Sequence, residues 1–197
     1  MRRAVLLLVG LALPACDNRN EARIGGAIMP QALSSIPVPA GSTTVAVTPG
    51  PMPALPDGPL ALAIDVNVPW TQLLPTVRAR QPAFLVGDRD KLRGFLLEDE
   101  LDPDGDAVKI IATSGGKFCV SPPGTDLAYC MESSDRRHIS AAFVREVMSK
   151  AVAEYGITQA RVDPDADILW ADLVRTIDGA RTCCKVPVKV ALLKSAH

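Results

Sequence analysis

The phrase "DVNVPWTQLLPTV", Asp65 to Val77, is written again a hundred positions later as "DADILWADLVRTI", Asp165 to Ile177. The chain has two tryptophans, Trp70 and Trp170, and they hold the same place in both copies. Each copy runs from an acidic residue through a short link to the Trp, and then into residues with helical apolar spacing. A chain with this echo must build the same strand-to-helix corner twice, so its architecture is expected to be duplicated or pseudo-symmetric. Asp65 or Asn67, and Asp165 or Asp167, can accept hydrogen bonds from the free N–H groups that open the next helix. Pro69 suits a first helical turn, where its missing N–H costs little. Pro75 falls where copy one should still be helical and predicts a short or kinked helix.

Around the two phrases, strand and helix patterns alternate from Leu60 onward. "LALAIDVNV" reads as a strand, Pro69 to about Arg80 as a helix and "AFLVG" as a short strand. "AVKIIATSGGKFCVS" reads as a hairpin, because Ser114-Gly115-Gly116 supplies residues that tolerate positive φ between two runs of β-formers. Ile139, Phe143, Val147, Ala151 and Tyr155 have helical spacing, and Gly156 stops that helix. "ITQARVD" is a strand, Trp170, Leu173, Val174 and Ile177 form one helix face, and "VPVKVALL" closes as a strand. The fold class is therefore α+β. It consists of a small mixed sheet with helices on one face, a β-β-α-β-α-β unit over 107–194, preceded by a partial β-α-β repeat over 59–100.

The N-terminal part follows different rules. "MRRAVLLLVGLALPAC" has a basic start, an uncharged apolar run and small residues before a cut, the layout of a secretory signal. The run is about a dozen residues, whereas a spanning helix needs roughly twenty. Leu13-Pro14-Ala15-Cys16 resembles the bacterial lipobox. Residues 1–15 then form a lipoprotein signal peptide, and Cys16 is the acylated first residue of the mature chain. Each buried methylene of an acyl chain adds roughly 0.8 kcal/mol of membrane affinity. Asp17 resembles the residue that retains lipoproteins at the inner membrane. Residues 16–58 read as a tether, since Pro30, Pro37, Pro39, Pro49, Pro51, Pro53 and Pro56 interrupt regular pairing. The domain proper is expected over 59–197, in the periplasm.

Val108 to Leu193 resembles the periplasmic domain of ExbD/TolR-type biopolymer transport proteins. The likeness rests on a hairpin, a helix, a strand ending in Asp165, a link to the aromatic Trp170, and a helix with Leu173, Val174, Ile177 and Asp178. In copy one, Val68-Pro69-Trp70 matches the family's "v-P-aromatic" element. Where the family has Ala-Gly before its last strand, this chain has Cys183-Cys184. The resemblance implies contact with envelope proteins or peptidoglycan, and pairing of two copies as a homodimer. The family's proton-linked transmembrane helix carries an ionisable Asp, which such chemistry requires. The apolar run here has no acidic residue, so only the periplasmic module is kept.

Catalytic signals are sparse. Cys119 and Cys130 flank a short loop and are the most natural disulfide pair in an oxidising compartment. Cys183 and Cys184 read as a vicinal bridge, as one bonded and one free thiol, or as two buried thiols. A thiol-redox protein using these two is the alternative function, and a purely structural lipoprotein is another. Glu98, Asp99, Glu100, Asp102, Asp104 and Asp106 lack EF-hand spacing and read as a solvated turn. His138 and His197, the two histidines, do not form a zinc-like cluster. Ser121, Ser133, Ser134 and Ser140 lack a nucleophile-elbow setting. No catalytic residue, metal or cofactor is assigned. With a formal net charge of -1 and four Phe and two Tyr in the chain, neither a nucleic-acid surface nor a stacking platform is indicated.

Overall fold

A computed structural model of the chain describes residues 23–24, 27–28, 37–88, 91–95, 107–123, 129–132, 138–184 and 188–190. Residues 1–15, read above as a signal peptide, Cys16, the acidic run of residues 98–106 and His197 lie outside them. The described residues form an α+β fold with two main sheets and three helices.

The first sheet holds β3 (Thr43–Val47), β4 (Leu60–Ile64), β5 (Ala83–Asp88) and β6 (Lys91–Phe95) in the order β3-β4-β5-β6, with α1 (Trp70–Arg80) between β4 and β5. β3, β4 and β5 are parallel, and β6 returns antiparallel. β1 (Arg23–Ile24) and β2 (Ala27–Ile28) form a short hairpin that lies against β5.

The folded body therefore begins before the boundary at residue 59 read from the sequence. Val47 is buried, and Met52 and Leu55 pack against the core, so residues 43–58 are not a free tether. Their prolines lie in the connection from β3 to β4, where no ladder hydrogen bond is needed. Copy one also extends beyond a partial β-α-β unit, since β3 precedes it and β6 completes a hairpin at its end.

The second sheet has the order β11-β10-β7-β8-β9. It comprises β7 (Ala107–Ala112), β8 (Lys117–Ser121), β9 (Tyr129–Glu132), β10 (Gln159–Pro164) and β11 (Val188–Val190). β7 turns into β8 through Gly115 and Gly116, both at positive φ (82° and 75°). α2 (Ala141–Tyr155) connects β9 to β10, and α3 (Trp170–Cys184) connects β10 to β11. In β10, Ala160 and Val162 point into the core, while Arg161 and Asp163 pair on the other face at 2.8 Å. Phe118 of β8 meets Phe143 of α2 edge-on at 5.2 Å, which fixes α2 over the sheet.

α2 and α3 approach closely at Gly179. A methyl group there would sit 2.6 Å from the Ala141 carbonyl and 2.8 Å from the Val144 Cβ. In copy one the equivalent residue is Ala79, which is exposed. No described helix flanks α1 as α2 flanks α3.

Candidate functional site at the crossing of the two copies

The sequence echo is an echo of topology and register. Ile64 of β4 pairs with Val47, and Pro164 of β10 pairs with Ala112, so β3 corresponds to β7. Just beyond, the Asp65 N–H donates to the Val47 carbonyl (2.9 Å) and the Asp165 N–H to the Ala112 carbonyl (2.8 Å). On the other side of the central strand, Leu62 pairs with Phe84, and Val162 with Val190. Thus β3-β4-α1-β5 corresponds to β7-β10-α3-β11. The β8–β9 ladder and α2 belong to copy two, and β6 belongs to copy one.

The two corners meet across an approximate twofold axis. Pro69 and Leu169 form an isolated antiparallel bridge. The Trp70 N–H donates to the Ile168 carbonyl, and the Trp170 N–H to the Val68 carbonyl, both at 2.8 Å. The Thr71 N–H donates to Ala166 (2.9 Å), and the Ala171 N–H to Val66 (3.1 Å). A helix begins with N–H groups that have no partner in their own turn. Here the first two of α1 and of α3 are capped by backbone carbonyls of the other copy.

This overturns the helix-capping role read for the aspartates. Asp65 Oδ1 accepts the Asn67 N–H at 2.8 Å, and Asp165 Oδ1 accepts the Ala166 N–H at 2.9 Å, so both carboxylates hold the link ahead of the helix. No side chain caps α1. The reason is geometric: with the other copy's link laid against the helix start, carbonyl oxygens already occupy the acceptor positions. Helix α1 also continues through Pro75 to Arg80. Pro75 and Thr71 are both exposed, so the carbonyl deprived of its usual donor faces water.

Trp70 and Trp170 are buried beneath this crossing. Trp170 packs on Phe84 of the first sheet with ring centroids 5.0 Å apart, so the second copy's Trp reaches into the first copy's core. Leu73 and Leu173, Thr76 and Thr176, and Val77 and Ile177 are buried at matching positions. One continuous apolar cluster contains residues of both copies. Full burial of a side chain of the Val, Leu or Ile size contributes about 1.5–3 kcal/mol.

A further pair of equivalent positions, 72 and 172, carries no local sequence motif. Gln72 clasps the β3–β4 connection, as its Nε2 donates to the Thr48 carbonyl (2.8 Å) and its Oε1 accepts the Gly50 N–H (3.2 Å). Asp172 clasps the entry to α2. Its Oδ1 accepts from the Ile139 N–H and from Arg175, both at 3.1 Å, and His138 Nδ1 lies 3.5 Å from Oδ2. The Asp172 side chain is 2% exposed and that of His138 44%. Asp172 also stands in the first turn of α3, where the helix dipole favours a negative charge. Its equivalence to Gln72 within the repeat was the available signal. Its burial depends on α2, which the local sequence does not show.

Of the cysteines, Cys119 and Cys130 form a disulfide across directly paired residues of β8 and β9. Cys183 is disulfide-bonded as well, to a partner outside the described side chains. The side chain of Cys184 lies outside them too. On the outer strand β9, Tyr129 and Met131 are exposed, and the Tyr129 and Tyr155 hydroxyls share a hydrogen bond of 2.7 Å. That bond holds the Tyr155 hydroxyl above the usual phenol range. Among the described residues, no three His, Cys, Asp or Glu side chains gather into a metal-holding group, and no helix is long and apolar enough to cross a membrane. No protein-family model and no curated protein matches the chain.

Proposed function

We propose that the protein is a lipid-anchored binding or scaffold module of a cell-envelope complex, similar to the periplasmic domain of ExbD/TolR-type proteins without their proton-linked helix. The observation that carries this reading is the succession after residue 107. A hairpin and helix α2 lead to strand β10, which ends at Pro164 directly before Asp165, and a short link leads to a buried Trp170 that opens α3. This is the order and the corner that the resemblance implies. The lipobox-like Leu13-Pro14-Ala15-Cys16 supplies the anchor, with Asp17 favouring the inner membrane, and places the domain in the periplasm. Acylation of Cys16 consumes its thiol. The partners of this reading are envelope proteins or peptidoglycan.

Metabolic labelling with a fatty-acid analogue, followed by fractionation and in-cell crosslinking, tests it. The wild-type chain should carry the label, sediment with membranes and crosslink to envelope components. Cys16→Ala should lose the label and the sedimentation while keeping the fold. An unlabelled, soluble wild-type chain would remove the anchor from this reading. Recovery of no envelope protein or peptidoglycan would remove the scaffold role.

A further inference from the structure

The two copies differ at one edge. In copy two, β7 has β10 on one side and the antiparallel strand β8 on the other. In copy one, the equivalent strand β3 has β4 on one side, and among the described residues no strand lies on the other. The Thr43 N–H donates inward to the Pro59 carbonyl at 3.0 Å. Alternation along a strand then turns the Thr44 and Ala46 N–H groups toward the open edge. In copy two the corresponding residues, Lys109 and Ile111, pair with Ser121 and Cys119 of β8.

Natural edge strands are usually blunted with charge, proline or bulges. Lys91 and Arg93 stand in β6, Glu132 in β9 and Lys189 in β11. β3 reads Thr-Thr-Val-Ala-Val, with neither charge nor proline. Val45 packs against the core yet stays partly exposed, whereas Ile110, its counterpart beside Val120, is buried.

We propose that the open edge of β3 is a docking site for an extended segment of a partner protein, added as an antiparallel strand. Copy two defines what fits. Opposite Val47 and Val45 the incoming strand presents apolar residues, as β8 presents Phe118 and Val120 to Ala112 and Ile110. The residue between them, opposite Ala46, faces outward and is small. A second copy of this chain is a poorer fit, because antiparallel self-pairing centred on Val45 sets Thr43 opposite Val47, where β8 offers Phe118. The site follows from the fold alone and does not depend on the lipid anchor.

The probe is a synthetic peptide of residues 116–122 carrying Cys119→Ser, added to the full chain, with residue-resolved amide exchange as the readout. Exchange at Thr44 and Ala46 should slow by about tenfold or more, with Thr43 unchanged because its N–H is already bonded within the sheet. A peptide of the same composition without the apolar alternation should have no effect. Val45→Lys should abolish the slowing, and Ala46→Lys on the outer face should preserve it. The wild-type comparison of the two peptides decides the matter even if Val45→Lys unfolds. No slowing with peptide at roughly millimolar concentration overturns the proposal. So does slowing without peptide: if it rises with protein concentration, a second copy is the occupant, and if it is independent of concentration, the chain covers its own edge.

Discussion

Copy one and copy two share a central strand, an Asp corner, a buried Trp and a helix, but each is enclosed differently. In copy two, α2 packs along α3 and forces Gly at position 179, and Asp172 grips the entry to α2. In copy one, a Pro-rich connection occupies the place of β8, β9 and α2. There Ala79 is exposed, and the neutral Gln72 grips backbone at Thr48 and Gly50. Equivalent positions thus take the residue their surroundings demand: small where a helix crosses, and charged where an arginine and a histidine lie within reach. The corner itself needs both copies and stays the same.

The largest test of this comparison is at the tryptophans. Trp170→Ala should cost about 4 kcal/mol, and Trp70→Ala a similar amount, measured by urea unfolding followed by circular dichroism. Because the two side chains serve one interface, the double variant should lose less than the sum of the singles. Two separate transitions in the wild-type chain would contradict a shared core. Next come the grips. Asp172→Ala should cost about 3 kcal/mol, since it orphans the buried Ile139 N–H and removes the carboxylate that Arg175 donates to, while Gln72→Ala should cost about 1 kcal/mol. Equal losses in thermal melts would show that the two positions are not differentiated by burial. The smallest contrast is at the helix crossing. Gly179→Ala should destabilise by about 2 kcal/mol through overpacking, although the same change favours an isolated helix. Ala79→Gly should cost up to about 1 kcal/mol through helix propensity alone.

Much of the fold was legible because its signals are local. The alternation in "AVKII", the Gly pair at 115 and 116, the helical spacing from Phe143 to Ala151 and the stop at Gly156 each depend on a few neighbouring residues. Strand β3 was hidden because its five residues lie among prolines, and only pairing with β4 distinguishes them from a tether. The true helix caps are invisible locally for a related reason. An aspartate before a helix is a sound local signal, but the acceptors that displace it belong to a segment a hundred positions away. Asp172 has no local signature because its partners Ile139 and His138 come from a different part of the chain. Local chemistry reveals elements, whereas the site is made where distant elements cross.

The reciprocal hydrogen bonds at the corners also set an order of events during synthesis. When copy one leaves the ribosome, the acceptors for the Trp70 and Thr71 N–H groups, Ile168 and Ala166, have not yet been made. Chains emerge N-terminus first, at several residues per second. For several seconds, therefore, the first helix start has only water to accept from its N–H groups, and the Phe84 ring lacks its Trp170 cover. The first half is thus translated ahead of its own lid. The native corner can close only once the second half is present.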